Sequence, residues 1–146
     1  GNSHFIRKGI QNAQYCPTIK YGYEDLYMSL RILDAGLRNA LIERISTIHK
    51  PATNKWAEGS EELNIIKMKG IAGLMTVKCL LYPNKYRFLI YLAAIARYLK
   101  YFKLNFKYIN ETIRLFRLQT KNVKVDKIKD CTIRSLIHEY GIWATF

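Results

Sequence analysis

The segment YGYEDLYMSLRILDAG, Tyr21 to Gly36, sets two adjacent carboxylates, Glu24 and Asp25, behind a glycine that lies between two tyrosines. Consecutive side chains on a helix point about 100° apart, so the pair cannot grip one atom symmetrically. One carboxylate can face a cleft while its neighbour bonds the backbone or a second group of a substrate. The free amides of a helix N-terminus favour the anion. A carboxylate held there can take the proton of a hydroxyl that attacks an electrophile, as a general base does. The same two residues also serve a plainer purpose, since acids in the first helical turn most often only cap it.

The elements around this pair read as mixed α and β. The segment SHFIR is a short strand candidate. From Glu24 onward, Leu26, Leu30, Leu33 and Leu37 recur at the spacing of one helical face, and Gly36 suits the left-handed residue that ends a helix. The β-branched residues and partial alternation of NALIERISTIH predict a strand over 39–48, stopped by Pro51. A loop, KPATNKWAEGS, leads to Ser60, Glu61 and Glu62, a helix-start pattern. Beyond it the periodicity predicts helices over 61–81, 85–102 and 106–120, then a polar connector and a last helix over 132–140 ending at Gly141.

This ordered set resembles the C-terminal half of the catalytic domain of family 2 glycosyltransferases, which have the GT-A fold. In that family a Gly-x-Glu-Asp opens a helix bearing Leu and Arg, an Ala-Gly turn follows, and a strand leads to a final histidine. Gly22, Glu24, Asp25, Leu30, Arg31, Ala35, Gly36 and His49 stand in those places, in that order, within the first fifty residues. The resemblance implies that Asp25 is the general base on an acceptor hydroxyl and that Glu24 binds acceptor hydroxyls or orients it. It also implies that His49 ligates a divalent metal, for which imidazole suits Mn²⁺ better than Mg²⁺. A strand-end histidine bonded to backbone is the alternative. Gly22 and Tyr23 fall in the implied substrate site. Trp56, in the loop after His49, could cover donor or acceptor, although each aromatic could equally pack against its own helix or loop.

The family's Asp-x-Asp motif, which holds most of the metal, is absent, as is the βαβ unit of its nucleotide-binding half. The fold expected is therefore α+β. Residues 1–58 would be the C-terminal portion of a GT-A-like catalytic domain, and 59–146 a mainly helical basic region. The corresponding function is that of a fragment of an inverting glycosyltransferase, inactive alone. The whole enzyme would transfer sugar from a nucleotide-sugar donor to a saccharide or lipid-linked acceptor.

Composition supplies the competing reading. At 146 residues the chain suffices for one core, and a hydrophobic fraction of 49% argues against disorder. The three cysteines, Cys16, Cys79 and Cys131, are far apart, the usage of a reducing compartment such as the cytoplasm. The net charge of +13 is uneven: residues 61–146 hold sixteen Lys/Arg against six Asp/Glu. Basic and aromatic residues alternate with aliphatic ones from Tyr86 to Leu118, a composition suited to the headgroup layer of an anionic membrane. The alternative function is a non-enzymatic basic helical module that binds an anionic membrane surface or nucleic acid. Spread over four helical segments without a recognisable DNA-binding motif, its charge disfavours nucleic acid. The location expected is cytoplasmic and peripheral, on the inner face of the cell membrane.

Overall fold

The computed structural model describes residues 23–38, 60–103 and 105–146. Regular structure among them is entirely helical: α1 (Glu24–Asp34), α2 (Glu61–Leu81), α3 (Arg87–Phe102), α4 (Ile109–Thr120), α5 (Asp130–Tyr140) and a short α6 (Ile142–Thr145). Single 3-10 turns, Asn84–Tyr86 and Phe106–Tyr108, lead into α3 and α4.

This corrects the α+β expectation and the GT-A resemblance with it. The described residues contain no strand, and α1 packs on other helices where a GT-A domain would pack it on a sheet. The physical reason lies in the pattern itself. An acidic first turn, a leucine face and an Ala-Gly end are what any short amphipathic helix requires, and they say nothing about the neighbour it packs on. The strands expected over 3–7 and 39–48 lie outside the described residues.

Helix α2 organises the rest. From Met68 onward it is apolar around most of its circumference, the pattern of a helix surrounded by others, and α4, α3 and α1 pack against it. Two clusters form along its length. Met68, Ile71 and Ala72 meet Tyr98 and Phe102 of α3 and Leu115 of α4. Towards its C-terminus, Val77, Leu81 and Tyr82 meet Tyr27 and Leu30 of α1, Ile90 of α3 and Ile133 of α5. Ser60 caps its start by accepting from the Leu63 amide at 3.2 Å. Its end is closed from far along the chain. Lys127 Nζ donates to the carbonyls of Cys79 and Leu80, each at 2.8 Å, and the Ile128 amide donates to Leu81 O at 2.8 Å.

Helix α1 ends as its sequence requires. Gly36 takes φ +78°, its amide donates to Leu33 O at 3.0 Å, and the Leu37 amide donates to Ile32 O at 3.1 Å. Two residues before Gly36, Asp34 reaches across to the start of α5. Its Oδ1 accepts from the Lys129 amide at 2.6 Å and from Thr132 Oγ1 at 2.8 Å. That borrowed acceptor explains why α5 begins at Asp130, ahead of the residues expected from periodicity alone.

Candidate functional site

The carboxylate pair sits in the first turn of α1, as expected. Asp25 is exposed, Glu24 is half-buried, and neither lines the cleft that forms along the leucine face of α1. The N-cap of α1 is Tyr23, whose side chain makes no capping hydrogen bond. Two acids behind a cap that offers no acceptor complement the helix dipole, which accounts for the pair without any substrate. Tyr23 itself lies across α2. A Cβ added to Gly73 would fall 2.5 Å from its ring Cδ2, and one on Gly70 would fall 3.2 Å from its hydroxyl. Burial pushes its phenol above the ordinary range, against the lowering effect of nearby Arg97. Gly22, His49 and Trp56 lie outside the described residues. Among the described residues no three His, Cys, Asp or Glu side chains gather in a way that could hold a metal ion, and His138 is exposed. The divalent metal implied by the resemblance therefore finds no donor set in this part of the chain.

A different site is built where α1, α2, α3, α5 and α6 converge. A half-open cleft of about 370 Å³ has walls of Leu26, Leu30 and Leu33 from α1, Leu74 from α2 and Leu136 from α5. Its polar groups are Ser29 of α1, Lys78 of α2 and Tyr82 just past its end, Arg97 of α3, Tyr140 of α5 and Thr145 of α6. The leucines of α1 expected to form its core face thus largely line this cleft, while Tyr27, at 1% exposure, makes the deeper contact.

Lys78 is the anomalous group. It is 3% exposed, one turn before the C-terminus of α2, and among the described residues no carboxylate pairs with it. Burial is the main cause that lowers its amine from the usual 10.5 to about 7, and the neighbouring Arg97 charge lowers it further. Buried lysines are ordinarily paired, because an isolated ammonium in an apolar setting loses hydration that nothing replaces. Lys78, turned into an apolar cleft with no carboxylate partner among the described residues, is an unmet electrostatic demand.

Arg97 is positioned by α6. Its guanidinium donates to Phe146 O at 2.7 Å and to Trp143 O at 3.3 Å, while the Tyr82 hydroxyl donates to Thr145 O at 3.0 Å. These bonds satisfy carbonyls that the last turn would leave orphaned. The Tyr82 phenol, buried throughout, is pushed up to about 12 and stays a donor at any ordinary pH. Arg97 belongs to the basic and aromatic stretch from Tyr86 to Leu118, a composition that suits a surface. It points inward instead. The sequence did carry a signal for the cleft: Lys78 is the one charged residue within the run IAGLMTVKCLLY, residues 71–82.

The opposite face of α3 is apolar and uncovered. Phe88, Leu92, Ile95 and Leu99 are 73%, 42%, 56% and 45% exposed. With 100° per residue they fall within about 60° of one another on one face of the helix. Arg87, Lys100 and Lys103 are exposed on the same helix and its last turn, and Tyr91 and Tyr101 are exposed beside them. No helix among the described residues is long and apolar enough to cross a membrane. Comparison with known proteins finds no matching family model, no matching curated protein and no matching solved structure.

Proposed function

We propose that this chain acts as a basic helical module that docks on an anionic membrane surface through α3. The observation that carries this reading is the exposed stripe of Phe88, Leu92, Ile95 and Leu99 in a chain of net charge +13. Contiguous exposed apolar side chains mark a surface that meets something, and flanking cations select an anionic partner. Fully burying one such side chain contributes roughly 1.5–3 kcal/mol. Each cation at an anionic surface adds about 1 kcal/mol. A few of each make reversible adsorption favourable, with the stripe in the acyl boundary and Arg87, Lys100 and Lys103 at headgroup level. This agrees with a peripheral placement on the inner leaflet, where anionic lipid is enriched. Transfer of sugar by Asp25, the other expectation, draws no support from an exposed carboxylate that stands outside the cleft of Lys78 and Arg97.

Flotation with vesicles of phosphatidylglycerol and phosphatidylcholine, against phosphatidylcholine alone, tests the reading. The chain is expected to float with the anionic vesicles and to be released as salt rises. The combined variant L92S/I95S/L99S, altered only at exposed positions, is expected to stay in solution. Equal flotation of that variant, concentration-dependent self-association through the stripe, or binding to duplex DNA without binding to vesicles would each overturn it.

A further inference from the structure

We infer that the cleft between α1, α2 and α5 is a binding site for a small amphiphile with an anionic head and an apolar tail, the head held between Lys78 and Arg97. This inference is independent of the membrane reading, since the cleft and the exposed stripe of α3 involve different side chains.

The site is half complete without its ligand. Its walls are mostly leucine, and of its two cations Lys78 has no carboxylate partner among the described residues, while Arg97 already donates to Phe146 O and Trp143 O. A purely apolar ligand would leave the Lys78 ammonium unanswered. A small hydrophilic anion would leave the leucine walls against water. A carboxylate on a short alkyl chain answers both, through charge-assisted hydrogen bonds at one end and apolar contact at the other. Arg97 brings a further advantage. Its bonds to Phe146 O and Trp143 O hold the guanidinium in place before any ligand arrives, so less side-chain freedom is lost on binding. The volume of about 370 Å³ lies at the lower end of small-molecule sites. At about 30 Å³ per water-sized group it takes on the order of a dozen heavy atoms, the size of decanoate.

The charge state of the site gives the reading a signature. The titratable and charged groups lining the cleft with Lys78 are Arg97 from α3, Tyr82 just past the end of α2 and Tyr140 from α5; among its lining residues α1 and α6 supply none. Lys78 is lowered to about 7, whereas the Tyr82 and Tyr140 phenols are both raised. A carboxylate placed beside it favours the ammonium, so binding above pH 7 takes a proton from solution, approaching one proton per ligand about a unit higher.

The test is calorimetry of the full chain with monomeric decanoate in the absence of vesicles, at pH 8, in buffers of different ionisation enthalpy. Binding with proton uptake is expected, and decanol is expected to bind at least about tenfold more weakly, the worth of one hydrogen bond to a charged group. Lys78→Met keeps the volume and removes the charge. It is expected to abolish the proton uptake and to weaken decanoate while leaving decanol little changed, Arg97 keeping part of the preference for the anion. Leu33→Trp, which fills the mouth of the cleft from a half-buried position, is expected to weaken both ligands. Absence of decanoate binding, equal binding of decanol, or undiminished decanoate binding by Lys78→Met would each overturn the inference. So would association seen only with vesicles, an outcome that would leave the α3 reading intact.

Discussion

Lys78→Met is expected to stabilise the chain, and to do so in a way that depends on pH with a known sign. The amine titrates at 10.5 when unfolded and at about 7 when folded. Its folded value is lowered, so between those two values the unfolded state binds more protons and stability rises with pH. Below pH 7 the buried ammonium carries its full penalty. The difference of about 3.5 units corresponds, at 1.36 kcal/mol per unit, to a ceiling of about 5 kcal/mol. Methionine fills similar space without charge, and replacing buried ions by apolar residues is often stabilising by about 1–4 kcal/mol. In urea unfolding across pH 6 to 10, the variant should therefore exceed the parent chain by a few kcal/mol at pH 6. The advantage should shrink by about 1.4 kcal/mol per unit above pH 7. Other groups titrate equally in both proteins, so the difference between the curves isolates Lys78. A variant no more stable than the parent at pH 6, or an advantage that stays flat from pH 7 to 10, would refute the assignment of a buried unpaired amine.

Two further expectations rest on different contacts. Gly73→Ala should destabilise the fold by about 1–3 kcal/mol although alanine favours helix, because its Cβ would stand 2.5 Å from the ring of Tyr23. Adding Tyr23→Ala should relieve that strain, which a double-mutant cycle by chemical denaturation measures; a Gly73→Ala variant as stable as the parent would show that the ring does not rest there. Asp130, bonded by Lys85 at 2.6 Å and by the Tyr86 hydroxyl at 2.6 Å, is held down to about 2 from 3.8, with Lys85 the larger cause. Its folded value is lowered, so its contribution is present above pH 4 and lost as pH falls toward 2. Asp130→Asn should flatten that acid limb in a stability–pH profile, and an unchanged limb would exclude the contribution.

The helices were legible where local pattern suffices. The α2 span of 61–81 follows from Ser60, two acids and a long apolar run, and Gly36 ends α1 in the conformation its lack of a side chain permits. Features that depend on distant partners were not legible. Lys127 closing α2 and Asp34 opening α5 bridge 47 and 95 residues respectively, and no periodicity encodes such pairs. The carboxylate pair is ambiguous because a first-turn acid and a catalytic base use the same residue types at the same place. What separates them is a cleft, and the cleft lies along the leucine face of α1 instead. Lys78 was visible as a charge in an apolar run, but only the convergence of five helices turns that oddity into a site.

A net charge of +13 merges two physically different roles, and α3 separates them. On a helix turning 100° per residue, position 97 falls about 180° from position 88 and so opposite the stripe of Phe88, Leu92, Ile95 and Leu99. Arg97 therefore turns into the bundle, where it holds the carbonyls of Trp143 and Phe146 and adds to the field at Lys78. Arg87, Lys100 and Lys103 remain exposed to bulk ions. Salt screens exposed charges over about 8–10 Å at physiological strength but reaches buried ones far less. Raising ionic strength should consequently weaken whatever the outer face of α3 meets while leaving a ligand between Lys78 and Arg97 much less affected. Two binding events with the same salt dependence would mean that both draw on the same outer charges, and the inward role of Arg97 would then have to be abandoned.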